Sequence, residues 1–226
     1  MSNRSLALTM GEPAGIGGQL TLKAWKLRRS QGPAFIAIDS VDRLNKEMER
    51  LGIYAPLETT TDPCEVEKIF PRALPVFDIP LGKSPKPGEP ITETAPAILK
   101  SIKTAVGWAL EGLVGGIVTN PIHKGTLYKS GFQYPGHTEY LAELSGALST
   151  PVMMLACPGL RTVPVTVHVG LRQGLDALTS KLIVEQALIT DTALRNDFAI
   201  TSPRLAVVCV CVLCPGEVAD PWRRYA

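Results

Sequence analysis

Short apolar runs alternate with amphipathic stretches along most of the chain, and this alternation limits the fold more than any other feature. Residues 5–10 (SLALTM) are largely apolar and lead through the glycine-rich GEPAGIGG into an amphipathic stretch at 20–29. That order predicts a strand, a tight turn and a helix. A second strand is expected in PAFIAID (33–39), which closes on an Asp-Ser pair able to cap a helix over Val41–Leu51. ALPVFDIP (73–80) predicts a third strand. GKSPKPGEPI follows, rich in proline and glycine, and marks an internal boundary near residues 82–92. Residues 94–113 place apolar side chains at helical spacing, and GGIVTNPIHK (115–124) is expected to be a buried strand running into a polar loop. A helix is expected at 139–145, strands in TPVMMLAC (150–157) and TVPVTVHV (162–169), and a long helical region at 175–197. PRLAVVCVCV (203–212) begins as another strand. The strand cores are therefore expected at about 5–10, 33–38, 74–78, 115–119, 151–156 and 163–168. Strands alternating with helices predict an α/β fold with a largely parallel or mixed sheet.

The 226 residues suffice for one large or two small domains. A formal charge of +2, with basic residues scattered, gives no concentrated patch for nucleic acid or a membrane surface. KLRR at 26–29 is the densest basic cluster and suits the solvated end of a helix. The apolar run at the N-terminus is too short for a signal peptide, and the longest apolar stretch, LAVVCVCVLC at 205–214, is about half a membrane span of about 18 residues. Five cysteines, three of them in CVCVLC, make a poor disulfide framework, and a reducing cytoplasm is expected.

Two groups of residues could carry chemistry. The glycines at 11, 15, 17 and 18 permit close backbone approach at a helix N-terminus, but the spacing is not GxGxxG. A plain strand-to-helix turn explains them as well as a phosphate cradle does. The three histidines, His123 in TNPIHK, His137 in YPGHTEYL and His168 in VTVHVGLR, each fall at or just after the end of an expected strand. Open α/β sheets place ligands there, and His137 and His168 are expected to face one cleft. Imidazole can bind a transition metal or hydrogen-bond a phosphate or hydroxyl.

TMGEPAGIG, TNPIHKGTLYKSGFQYPGHTEYLAEL, PVMMLA and LRTVPVTVHVGLR occur in this order. From about residue 5 to about residue 207 the chain thereby resembles the 4-hydroxythreonine-4-phosphate dehydrogenase family of vitamin B6 biosynthesis. The resemblance implies an isocitrate/isopropylmalate dehydrogenase-like, two-lobed α/β/α fold, with lobes interleaved in sequence. It also implies a cytoplasmic homodimer with its active site in the interlobe cleft, and no nucleic-acid or membrane partner. By the same resemblance, His137 and Thr138 bind the substrate, a small phosphorylated hydroxy amino acid. His168 is implied as the first of three histidines on a divalent metal (Zn, Mg or Co), and the cofactor is NAD or NADP. His123 and Lys124 fall in a family motif near the cleft and receive no role, nor do individual cofactor-binding residues. Two other readings stay open: a paralogous dehydrogenase of another phosphorylated or vicinal hydroxy acid, and a non-catalytic substrate-binding fragment.

Two positions depart from the family pattern. Gln19 stands where a glutamate is usual. In the family, the strand matching PRLAVV leads into GLNPHAGE, whose histidine is the second metal ligand, and a later YHDQG motif supplies the third. Here the corresponding residues read CVCVLCPGEV. A Cys-x-Cys-x-x-Cys run could bind zinc, but a structural site usually takes four ligands. The expectation is a broken reading frame after about residue 207, with residues 208–226 an aberrant tail. The tail cysteines are expected to form no disulfide, and the chain alone to be inactive.

Overall fold

The computed structural model describes residues 4–147 and 149–208, so Cys209, Cys211 and Cys214 and most of the tail lie outside the described residues. Backbone contacts divide the chain into two compact units, Met1–Pro151 and Val152–Ala226.

In the first unit, five strands form one parallel sheet: β1 (Leu6–Thr9), β2 (Phe35–Asp39), β3 (Leu57–Thr59), β4 (Leu74–Asp78) and β5 (Gly116–Val118). Their order is β3-β4-β2-β1-β5, with Leu6 opposite both Phe35 and Gly116. Parallel strands need crossovers, and helices supply them: α1 (Gly17–Arg28), α2 (Val41–Leu51), the single turn α3 (Val66–Ile69) and α4 (Ala95–Leu110). The unit continues into α5 (Lys124–Lys129) and α6 (His137–Ser145).

Local sequence explains several boundaries. Ser40 starts α2 because its side chain accepts from the Arg43 N–H at 3.3 Å, and Gly52 ends it in a left-handed conformation. In α4 the buried residues Ala95, Ile98, Ser101, Ile102, Ala105 and Val106 recur at helical spacing and cover one side of the sheet. Trp25, Leu22 and Leu44 pack with Leu74 and Val76 in a second cluster, and the Trp25 indole N–H donates to the Phe70 carbonyl at 2.8 Å. Ser101 is fully buried, yet its hydroxyl donates to Ile38 O at 2.8 Å and accepts from Met10 N–H at 2.9 Å. A polar side chain on an apolar helix face thus joins α4 to the ends of β1 and β2.

The second unit departs from expectation. Only Leu155–Cys157 (β6) of the expected strand at 151–156 forms, in a two-stranded antiparallel hairpin with β7 (Leu160–Thr162). The expected strand at 163–168 is absent. No described segment pairs with it, the Val165 carbonyl accepts instead from the Gln186 side-chain amide at 2.9 Å, and His168 takes a positive φ of 58° that interrupts an extended run. The described part of PRLAVV likewise has no strand partner. The long helix is two, α7 (Leu171–Ala177) and α8 (Ser180–Asn196), because Leu178 and Thr179 are extended and Thr179 caps α8 by accepting from Leu182 N–H at 3.2 Å. Among the described residues, no helix is long and apolar enough to cross a membrane.

Candidate functional site

The strand order makes a switch point. From β1 the chain passes to β2 on one side, and it later returns to place β5 on the other side of β1. The loops after β1 and β5 therefore meet at the carboxyl edge of the sheet, where such folds commonly hold ligands. The sequence adapts the two loops to each other. Gly11 has φ +68°, and a Cβ there would lie 2.6 Å from Asn120 Cβ and 2.7 Å from the Pro121 carbonyl oxygen. Glycine at this position thus serves close approach of two backbones, which is the plain-turn reading of GEPAGIGG. Asn120, buried, closes the corner: its side-chain amide donates to Thr9 O at 2.9 Å and to Thr21 Oγ1 at 3.0 Å.

Glu12 lies in this corner and is only 5% exposed. Its N–H donates to Pro121 O at 2.7 Å, and its Oε1 accepts from Ala14 N–H at 3.1 Å. Oε2 is buried with no hydrogen-bond partner among the described residues. Burial pushes the Glu12 carboxyl above its ordinary 4.5, opposed by the Ala14 N–H and by the charges of His123 and Arg43. Arg43 braces the same loop. Its guanidinium pairs with buried Asp39 and donates to Met10 O at 3.3 Å and Pro13 O at 3.4 Å. Burial raises the Asp39 carboxyl, but Arg43 and the Ser40 N–H pull it down, and their hydrogen bonds suit the anion.

His123 follows β5 as expected, but the loop is shorter than expected because α5 begins at once. His123 caps that helix: Nδ1 accepts from Thr126 N–H at 3.2 Å and lies 2.6 Å from Thr126 Oγ1, which places the proton of a neutral ring on Nε2. His137 opens α6, with Thr138 exposed beside it. Its Nε2 is buried without a partner among the described residues. Burial first, and then the Lys124 ammonium, hold the imidazole below its ordinary 6.5, so the ring is neutral at neutral pH. Phe132, Tyr134 and Tyr140 pack against one another beside it, with ring centroids 5.0–5.3 Å apart, and seat α6 on the core.

The expected site residues divide between the units. His123, His137 and Thr138 belong to the first, and exposed His168 belongs to the second. Among the described residues, no three His, Cys, Asp or Glu side chains come together to hold a metal ion. The described residues therefore do not by themselves fit a metal. Sequence reasoning gave no part to Glu12 or Asn120, since neither belongs to a recognisable ligand set. The usable signal was position: both stand within three residues of the end of an apolar strand.

A parallel sheet with a buried acid and a capping imidazole in the loops at its switch point defines the class, an α/β protein with polar side chains at the carboxyl edge of its sheet. The chain belongs to the family of the pyridoxal phosphate biosynthetic protein PdxA, whose family model matches residues 32–211. It is 45% identical over 212 residues to the 4-hydroxythreonine-4-phosphate dehydrogenase of Caulobacter vibrioides, covering 92% of this chain and 62% of that relative. The enzyme of the same name from Bradyrhizobium diazoefficiens is 43% identical over 215 residues, covering 90% of this chain and 62% of that relative. A crystal structure of 4-hydroxythreonine-4-phosphate dehydrogenase from Klebsiella pneumoniae superposes with a TM-score of 0.81 at 31% identity, covering 89% of this chain and 62% of that one. The chain thus spans somewhat under two thirds of the length of the relatives it matches.

Proposed function

We propose that the protein serves the NAD-dependent (or NADP-dependent) oxidation of 4-phosphooxy-L-threonine. In that reaction the C3 carbinol gives its hydride to the nicotinamide and its hydroxyl proton to a base or solvent. The resulting 3-keto acid loses carbon dioxide to leave 3-amino-2-oxopropyl phosphate. His137 and Thr138 hold the substrate: a neutral imidazole and a hydroxyl can hydrogen-bond it so that the carbinol hydrogen is aligned for transfer. The observation that carries this reading is the buried Nε2 of His137, unpartnered among the described residues, beside the exposed Thr138, in a chain 45% identical to a relative named for this activity. A buried polar atom without a partner is costly unless something else supplies the hydrogen bond.

His168 is proposed as one ligand of a divalent metal (zinc, magnesium or cobalt). The described residues do not complete that metal's site. The further proposals rest on the family: an isocitrate/isopropylmalate dehydrogenase-like pair of lobes interleaved in sequence with a passage near residues 82–92, a homodimer, and a cytoplasmic location. Isothermal titration with 4-phosphooxy-L-threonine, followed by NADH absorbance in the presence of NAD, tests the reading. Binding that is lost in His137→Ala and Thr138→Ala supports it. Binding without NADH formation would make the chain a substrate-binding fragment. Preference for a different vicinal hydroxy acid would make it a paralogous dehydrogenase, and no binding of either would overturn the assignment.

A further inference from the structure

Arg43, Lys46, Glu47 and Arg50 recur along α2 at helical spacing and so share one face of the helix. That face, the Pro13–Gly15 turn after β1 and the 84–87 stretch of the Pro/Gly-rich loop wall a cavity of about 180 Å³. A single water needs only about 10–15 Å³, so the space admits a small polyatomic ion. Two hydrogen bonds frame it: Gly88 N–H donates to Ala14 O at 2.8 Å, and Lys46 Nζ donates to Ser84 Oγ at 3.0 Å. Together they tie the loop to the turn and to α2.

Donors outnumber acceptors in these walls. Arg43 is buried, and four of its five guanidinium N–H groups donate, to Asp39, Met10 O and Pro13 O. The fifth, on Nη1, has no acceptor among the described residues. Lys46 meets no carboxylate within 4.0 Å among the described residues, and Ser84 uses only one of its three N–H groups. Because Ser84 Oγ accepts that bond, its own hydroxyl proton is available to donate. Glu47 is the one carboxylate in the wall, and Arg50 already holds both of its oxygens, at 3.1 and 2.6 Å.

We propose that this cavity is a binding site for a phosphate-type dianion, held by Lys46, Ser84 and the cationic face of α2. An ammonium, a hydroxyl and a guanidinium on separate walls suit the tetrahedral oxygens of phosphate better than a planar carboxylate. The site is distinct from the one proposed around His137. Leu44 of α2 packs with Ala37 of β2 on one face of the sheet, whereas Tyr140 of α6 belongs to the cluster of Ile38 and α4 on the other. It therefore stands without any assumption about the substrate.

Isothermal titration of the whole chain with inorganic phosphate tests the site. Phosphate should bind saturably, and acetate much more weakly. Losing a charge-assisted hydrogen bond in Lys46→Met should weaken phosphate about tenfold. Lys46→Glu should abolish binding. Arg50→Met releases the Glu47 carboxylate beside the cavity and should weaken binding too, whereas His137→Ala should leave it unchanged. Lys46 and Arg50 are exposed, so these variants are expected to fold, which circular dichroism checks. Glycerol 3-phosphate that binds more tightly than the free ion, with the same loss in Lys46→Met, assigns the site to a phosphate ester. Equal or weaker binding assigns it to the free ion. No saturable phosphate binding to the folded chain overturns the proposal, as does binding that survives Lys46→Glu or is lost in His137→Ala.

Discussion

The two units use their apolar side chains differently. Among the described residues every buried apolar side chain except Leu194 lies in the first unit. In the second, Leu155, Leu160, Leu171, Leu175, Val184 and Leu188 are exposed. Both β6 and β7 are exposed along their whole length, and α7 has no buried residue. The first unit stacks helices on a parallel sheet, so residues of the inner strands β1, β2 and β4 have a neighbouring strand on either side. Among the described residues, the second has elements without a layer to cover them. The lesson concerns strands above all. A helix such as α8 satisfies its own backbone, whereas an extended segment needs an adjacent strand, and two-stranded hairpins are marginal alone.

Hydrogen exchange on the whole chain should show this comparison most strongly. Amides of β1, β2 and β4 are expected to be protected by several orders of magnitude more than those of β6 and β7. Equal protection in the two units would break the comparison. A pair of substitutions sharpens it further. Ile98→Ala, at a fully buried position on α4, is expected to cost about 2–5 kcal/mol in denaturant unfolding. Leu188→Ala on α8, where the side chain is 64% exposed, should stay within about 0.5 kcal/mol. A large loss at Leu188 would mean that this face of α8 is covered in solution.

The smallest effect expected is a pH dependence confined to the first unit. Glu12 holds its proton to higher pH in the folded chain than in the unfolded one. Its contribution to stability is therefore full below the ordinary 4.5 and is lost as pH rises through the raised folded value. Glu12→Gln, which cannot ionise, should flatten stability across that window while leaving exchange in the second unit unchanged. An unaltered pH profile would show that Glu12 is ionised without cost.

The first unit was largely legible because its local signals agree with its packing. Four strands were expected close to where they form, and the Asp-Ser pair before α2 acts as the cap it resembles. The short strand β3 was missed: Leu57–Thr59 is three residues long and half exposed, so it carries almost no periodicity. α5 was missed because its capping residue is a histidine, outside the usual Ser, Thr, Asp and Asn. In the second unit the β-branched, apolar TVPVTVHV reads as a strand from composition alone. The fold instead gives the Val165 carbonyl to Gln186, 21 positions away. No pattern within the segment could have announced that partner.

Sequence by itself determined the elements whose information is local: helix faces at 3.6-residue spacing, caps, glycine turns, and the motifs that place the chain in its family. Tertiary structure alone decided which strands pair, that Ser101 would bridge β1 and β2 from an apolar helix face, and that Glu12 and His137 would each bury an unpartnered polar atom. The reason is physical. Backbone periodicity is written in neighbouring residues, whereas burial, charge environment and hydrogen-bond satisfaction depend on groups far apart in the chain. Asn120 shows the distance involved, since its hydrogen bonds to Thr9 and Thr21 span 111 and 99 positions.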